Sequence, residues 1–419
     1  MLLQLRVKNY RSIKDEIVFS MIPNADTSHN SNVIDDGYRA LRTAAIYGAN
    51  ASGKSNLITA FTAILLAVRY SNTRNPNDTI PMMVPFKFST NTNSSPCEFE
   101  IVFVTDNTKY VYGFSADAKK VYEEYLIAYY TQRPTPIFKR TNVTEYEYTS
   151  KGTKDFLKSI EQFNSENKFF LATATAWNYE QTRPAYDWIS NMIDTYDDML
   201  QFQPVTVDAL LNNDNNDYQI FTLNLLKQAD INITKYDVQT MELPDIPFQM
   251  NSIPGLVKVT PPNEKNLLVQ VYMFHEYEND GKTMEDSLNL IDESLGTKQL
   301  FSFTGPLKTT LEKGRTMIID ELDKSLHPFI VRYLVDIFND PDINTNGAQL
   351  IFTTHDTYQL SLEVFRRDQI YFTEKNHDNG STDVYSLSDY SVRKDENVQK
   401  GYLNGRYGAI PYVHVEDLL

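Results

Sequence analysis

The octapeptide Gly48-Ala49-Asn50-Ala51-Ser52-Gly53-Lys54-Ser55 constrains this chain more than any other stretch. It satisfies G-x-x-x-x-G-K-[ST] in full, and its flanks supply the context that pattern needs. Thr43-Ala44-Ala45-Ile46-Tyr47 before it is a short apolar run that predicts a buried strand. After it, Leu57, Ile58, Phe61, Ile64, Leu65 and Val68 recur at helical spacing. A strand, a glycine loop and a helix in that order curl the backbone so that successive N–H groups point inward. The helix N-terminus adds partial positive charge. The expected ligand is a nucleotide polyphosphate, with Gly48, Asn50, Ser52, Gly53, Lys54, Ser55 and Asn56 around its phosphates. Lys54 should reach the β- and γ-phosphates, and the Ser55 hydroxyl should ligate Mg²⁺.

With 419 residues the chain can bury a large core, and one big domain with an insertion is expected. Arg6, Lys8, Arg11, Lys14, Asp15 and Glu16 are foreign to a signal peptide, and no apolar run approaches the ~20 residues of a membrane span. The single Cys97 excludes an internal disulfide and reads as a reduced, half-buried thiol, so a cytoplasmic location is expected. A net charge of −16 opposes general nucleic-acid coating, which rests on phosphate neutralisation, while leaving room for a local basic groove.

Along the chain, Leu3, Leu5 and Val7 alternate with Gln4, Arg6 and Lys8, predicting an amphipathic strand. Asn9 to Ile13 reads as a turn, Ile17, Phe19 and Met21 as a returning strand, and residues 22–40 as a polar loop. Glu98 to Val104 and Tyr110 to Phe114, joined at Asp106-Asn107, predict a hairpin, extended into one antiparallel sheet by Val121 to Tyr130 and Thr135 to Lys139. From about Tyr148 the character changes, with helices expected over Lys154 to Phe163, Ala185 to Leu200 and Gln219 to Ala229. No basic residue occurs between Arg183 and Lys227, whereas seven aspartates do. That acidic stretch is either a solvated helical insertion or a partner-docking arm. Strands are expected again over Asn232 to Met241, Leu256 to Thr260 and Leu267 to Phe274. The predicted organisation is residues 1–145, an acidic, mostly helical insertion over 146–262, and residues 263–419.

Thr316-Met317-Ile318-Ile319-Asp320-Glu321 is an apolar strand ending in two carboxylates, at the place where parallel sheets hold ligands. Asp320 suits a Mg²⁺ ligand, and Glu321 suits the group that polarises water for attack on the γ-phosphate. Leu350 to Thr354 is a second buried strand, ending in His355, a switchable donor placed to sense the γ-phosphate. Upstream, Glu293-Ser294-Leu295-Gly296-Thr297 opens a helix, and Ser294 and Gly296 offer a hydroxyl and N–H groups to a phosphate.

The order of these motifs resembles the ABC-type ATPase heads of the RecF/SMC/OLD group, and within it the RloA- and AbiL-like ATPases (AAA family) of bacterial antiphage, abortive-infection loci. Asn9-Tyr10-Arg11-Ser12-Ile13-Lys14 resembles the group's N-terminal turn, whose arginine, here Arg11, approaches bound nucleotide. Gly48 to Ser55 matches Walker A, Met317 to Glu321 Walker B, Leu322 to Pro328 (with Asp323) the D-loop, and Thr354-His355-Asp356 the switch histidine. Glu293 to Thr297 stands where the signature stands, with Leu295 where an acidic residue is common. Lys400 to Pro411 resembles the family's tail. A Q-loop glutamine has no clear counterpart; Pro85-Phe86-Lys87-Phe88 marks the nearest region. Coverage is good over roughly 1–140 and 265–419 and poor over 150–260.

The resemblance implies an α/β, ABC/SMC-like ATPase head: a parallel sheet with the phosphate loop, an antiparallel β-subdomain and a helical insertion. It implies catalytic roles for Lys54, Glu321 and His355, and a head-to-tail homodimer in which the signature of one subunit completes the other's Walker A site. Because the sequence ends at Leu419, no nuclease domain is expected after His355. Three functions compete. One is an antiphage sensor or scaffold controlling a separately encoded nuclease or toxin. The second is a RecF-like DNA-repair ATPase, for which Arg366, Arg367, Arg393, Lys394, Lys400 and Arg406 form the available basic cluster. The third is a nucleotide-binding module without turnover, which has no need of Glu321.

Overall fold

The computed structural model describes residues 1–149, 152, 154–211, 217–228, 232–242, 257–259 and 267–411. The chain divides into two units: Met1–Thr195 with Lys313–Glu321 and Leu334–Leu419, and Tyr196–Glu312 with Leu322–Tyr333.

The first unit holds two sheets. The alternating residues near the N-terminus join the predicted hairpin, giving seven antiparallel strands in the order Glu145–Tyr148, Thr135–Thr141, Val121–Tyr129, Thr108–Ala116, Cys97–Thr105, Leu2–Lys8, Ile17–Ser20. The apolar runs build the other sheet: Ile193–Tyr196, Thr316–Ile319, Gln349–Thr353, Thr43–Tyr47, Ile370–Lys375, Thr382–Ser386. Its four strands from Thr316–Ile319 to Ile370–Lys375 are parallel. Three of them, Thr316–Ile319, Gln349–Thr353 and Thr43–Tyr47, are buried at every position, which is why they read as unbroken apolar runs rather than alternations. The Lys54–Arg69 helix buries each of the apolar positions picked out by its periodicity. Phe103 and Trp188 stack 4.2 Å apart within the same core.

Two local expectations are corrected. Residues 22–40 are not one loop: Val33–Asp36 and Tyr38–Leu41 pair as a hairpin turned at Gly37, with strands too short for alternation to show. The helix expected over Ala185 to Leu200 ends at Asn191, and Ile193–Tyr196 becomes an edge strand hydrogen-bonded to Thr316–Ile319. Ile193 and Thr195 favour a strand, and Asp194 is gripped by Arg69 (3.1 Å) and Arg315 (2.6 Å). The other insertion helices fall at Lys154–Glu161 and Asp217–Gln228, with Ala229 outside the described residues. Phe170–Ala176 and Gln203–Leu211 are further short helices.

The second unit sets the Leu295–Lys313 helix beside the helices Gln203–Leu211 and Asp217–Gln228, with an antiparallel sheet of Ile233–Glu242, Leu267–Asn279, Val257–Val259 and Lys282–Asn289. The ends of the strand expected over Leu256 to Thr260 lie outside the described residues. Pro306 lies inside that long helix and has no N–H for the Ser302 carbonyl. The Thr206 hydroxyl takes that carbonyl instead, at 2.5 Å, and accepts the Gly305 N–H at 3.1 Å, so the proline becomes a helix–helix joint.

Candidate functional site

The parallel register brings three strand ends to one edge of the sheet. Ile319 lies beside Phe352, and Thr353 beside Ile46, so Asp320-Glu321, His355 and the Gly48 loop all leave the sheet on the same side. Such an edge is where open α/β sheets take ligands.

The glycine loop is fixed from behind by hydroxyls. Ser52 Oγ lies 2.6 Å from Thr373 Oγ1, and Thr382 Oγ1 donates to the Ser52 carbonyl at 2.8 Å. These contacts dictate the two glycines: a Cβ on Gly48 would collide with Thr373, and one on Gly53, at φ +115°, with Thr382. Lys54 is buried, and its Nζ donates to the carbonyls of Gly48 (2.7 Å) and Ala49 (3.2 Å), folding the cation over the loop where phosphates would lie. Ser55 is exposed at the helix start. Asn56 turns its amide to Ser12 Oγ at 2.6 Å, and Ser12 Oγ in turn meets Thr382 Oγ1 at 2.7 Å. The N-terminal turn is thereby tied to the phosphate loop. Arg11 sits in that turn at φ +50°, its buried Nε without a protein partner and its guanidinium 5.7 Å from the Tyr10 ring. A buried, unpartnered donor beside a phosphate loop fits an anionic ligand.

The two carboxylates are positioned by a residue the motifs do not mark. Thr353 Oγ1 donates to Asp320 Oδ1 at 2.5 Å and accepts the Glu321 N–H at 2.7 Å. Glu321 has φ +54°, an uncommon conformation for a residue with a side chain. It directs the carboxylate to solvent with Oε1 3.9 Å from His355 Nε2. The sequence signal for Thr353 is a hydroxyl at the end of the apolar run Leu350–Phe352, and Thr373 follows the apolar run Ile370–Phe372 within its strand.

Asp320 and Ser55 are oxygen donors of the kind Mg²⁺ takes together with substrate phosphates and water. Among the described residues no cluster of three or more His, Cys, Asp or Glu forms a self-contained metal site. The donor set fits a metal held partly by nucleotide.

Ser294, Gly296 and Asp323 belong to the second unit, and the phosphate loop to the first. Ser294 caps its helix, its Oγ accepting the Thr297 N–H at 3.1 Å. A Cβ on Gly296 would stand 2.9 Å from the Ser325 carbonyl, so the start of the Leu295–Lys313 helix abuts the loop after Glu321 at Ser325. Glu293 meets His275 at 2.6 Å.

A family model described as "AAA domain, putative AbiEii toxin, Type IV TA system" matches residues 44–363 of the 419. The chain belongs to this family. That membership bears out the resemblance to AAA-family proteins of abortive-infection type, and the α/β organisation, a parallel sheet carrying the phosphate loop beside an antiparallel one, is the one expected. Among solved structures, the chain is similar to an SMC head bound to the C-winged helix domain of ScpA, at 14% identity, covering 92% of this chain and 97% of that one (TM-score 0.43). The SMC head domain from Thermotoga maritima is similar at 13% identity over 92% and 98% (TM-score 0.39). A third, an Smc head with an extended coiled coil bound to the C-terminal domain of ScpA, derived from Pyrococcus furiosus, matches at 13% identity over 92% and 96% (TM-score 0.41). No curated protein matches the sequence. Among the described residues no helix is long and apolar enough to cross a membrane.

Proposed function

We propose that the chain hydrolyses ATP to ADP and phosphate, and that it serves as the sensor or scaffold subunit of an abortive-infection system, controlling a separately encoded nuclease or toxin. The observation carrying the enzymatic part is the convergence of Lys54, Asp320, Glu321 and His355 on neighbouring strand ends of one unit. Lys54 exchanges the carbonyls of Gly48 and Ala49 for the β- and γ-phosphates. Ser55 and Asp320 would hold Mg²⁺, which would supply neutralisation of phosphate charge. Glu321 polarises the attacking water, His355 donates to the γ-phosphate, and Arg11 approaches the nucleotide from the N-terminal turn. Gly48, Asn50, Ser52, Gly53 and Asn56 shape the loop, Asn56 through Ser12.

Ser294, Gly296 and Asp323 act across a head-to-tail dimer, completing the site of a second copy. Exposed apolar residues at the interface motifs support this: Leu295 in the signature, Phe329 after the D-loop, Tyr358 after His355. The location that follows is cytoplasmic. Three of the six basic residues named for the DNA-repair reading speak against it: Arg366 is fully buried against Asp368, Arg367 pairs with Asp26, and Arg406 with Glu396. The family's toxin–antitoxin description supports a separately encoded partner.

Glu321→Gln tests the chemistry. Phosphate release should fall about 10²-fold or more with ATP still bound, and the variant should accumulate as an ATP-dependent dimer. Unchanged turnover would remove Glu321 from its role. Co-expression with the product of the adjacent gene, followed by pull-down with and without ATP, tests the sensor part; a lone dimer under both conditions refutes it.

A further inference from the structure

A cavity of about 770 Å³ opens at the mouth of the phosphate loop. Gly48, Ala49, Asn50, His355 and Thr357 line one part of it, and Tyr402, Leu403 and Ala409 to Pro411 of the C-terminal segment line another. None of the roles assigned above uses that segment. We propose that residues 398–411 are a built-in positioning element of the hydrolytic site, with Gln399 holding the loop that carries His355. The proposal rests on the ATPase reading and adds to it a residue outside every motif.

Gln399 Nε2 donates to Thr357 Oγ1 at 3.2 Å. Thr357 lies two residues after His355 in a loop closed by its own hydrogen bonds. The Asp356 N–H donates to Thr354 Oγ1 at 2.9 Å, and Asp356 Oδ1 accepts the Tyr358 N–H at 2.8 Å. A constraint on Thr357 is therefore a constraint on His355.

The other end of the link is rigid. Gln399 belongs to the Val398–Leu403 helix, capped by Asn397 Oδ1 on the Lys400 N–H at 2.8 Å. Tyr402 and Tyr407 stack on Phe372 with centroids 5.5 Å and 5.8 Å away and planes within 18°. Tyr402 also lies 6.2 Å from the ring of Tyr47, the residue before Gly48. The Ala409 N–H donates to Glu374 Oε1 at 3.2 Å, and the Tyr385 hydroxyl donates to the Tyr407 carbonyl at 2.7 Å. Aromatic stacking and partly buried hydrogen bonds of this kind fix a segment against its sheet. The strand leading into the phosphate loop and the loop bearing His355 are thus referenced to one anchor. Gln399 touches no reacting atom; it acts through Thr357.

The test compares wild type, Gln399→Ala, Thr357→Val, the double variant and Thr357→Ser in steady-state phosphate release, with ATP affinity measured separately by calorimetry. Each of the first two single variants should lose about tenfold in kcat, the worth of one neutral hydrogen bond, with ATP affinity held within about twofold. The double variant should be no slower than either single one, and Thr357→Ser should restore turnover. If Gln399→Ala turns over like a hydrolysing wild type, or if the two losses multiply in the double variant, the link does not exist. A wild type that binds ATP without turnover brings down the ATPase reading and this proposal with it.

Discussion

Thr353→Val is the sharpest test of how the two carboxylates are held. The exchange keeps a β-branched shape at a fully buried strand end and removes one hydroxyl. That hydroxyl makes a charge-assisted bond to Asp320 (2.5 Å) and accepts the Glu321 N–H (2.7 Å). The first is worth about 1.5–3 kcal/mol and the second about 0.5–1.5 kcal/mol. Against them stands the left-handed backbone of Glu321, φ +54°, which costs about 1–2 kcal/mol. Without the hydroxyl the sum changes sign, and Glu321 relaxes to an ordinary conformation that carries its carboxylate away from His355. Displacing a catalytic group by about 1 Å costs on the order of 10²-fold. Phosphate release by Thr353→Val should therefore drop about 10²-fold with KM for ATP little changed, while Thr353→Ser stays within about threefold of wild type. If Thr353→Val is less stable in urea but turns over normally, the hydroxyl is structural only and the reasoning fails.

Lys54→Ala removes the cation folded over the loop and should weaken ATP binding by about 10²-fold, read with a fluorescent ATP analogue, while the chain remains folded. Glu124 is wholly buried, accepting the N–H groups of Phe170 (2.6 Å) and Leu171 (2.9 Å) and the Tyr112 hydroxyl (3.0 Å) beside Arg140. Glu124→Ala should cost about 3–5 kcal/mol in denaturant unfolding, because it strands three donors and takes the carboxyl from a buried guanidinium that keeps only backbone carbonyls as partners. Glu124→Gln should cost less. Burial outweighs Arg140 and these donors and holds the Glu124 carboxyl above its ordinary value. The folded chain therefore keeps that proton to higher pH than the unfolded one. Its contribution to stability is largest below the ordinary carboxylate pKa and declines as pH rises through the folded value. The gap between wild type and Glu124→Gln should accordingly narrow from about pH 4 to pH 7, and a widening gap would contradict the burial argument. Burial likewise pushes the Cys97 thiol up to about 12, so a thiol reagent should leave the native protein unlabelled and modify one site on unfolding.

What the sequence made legible follows from how local each signal is. The phosphate loop, its strand and its helix are contiguous, and their pattern depends on no distant partner, so the Lys54–Arg69 helix and the Thr43–Tyr47 strand stand where periodicity puts them. The hairpin over residues 97–116 announces itself through its own alternation. The Ile193–Tyr196 strand does not. Its apolar spacing suits a helix equally well, and the edge of the sheet at Thr316–Ile319 decides it, more than a hundred residues downstream. Pro306 in the Leu295–Lys313 helix is likewise accommodated by a distant partner, since Thr206 takes the carbonyl it frees.

The site divides along the same line. Residues proposed to meet phosphate or water must be of a given type at a given spacing, and Lys54, Ser55, Asp320, Glu321 and His355 can be named from the sequence for that reason. Residues that hold them need only a hydroxyl or an amide arriving from elsewhere in the fold. Thr353 fixes Asp320 and Glu321 from the next strand, Thr373 and Thr382 fix the loop through Ser52, and Gln399 reaches Thr357 from the far end of the chain. None has a spacing rule, because the sheet and not the sequence sets the distance. If that division is right, substitution of the motif residues abolishes binding or chemistry outright. Substitution of the holding residues then lowers kcat by graded factors that a serine at Thr353 or Thr357 restores. A holding residue whose loss abolished ATP binding altogether would show that it touches the nucleotide, and that the division has been drawn in the wrong place.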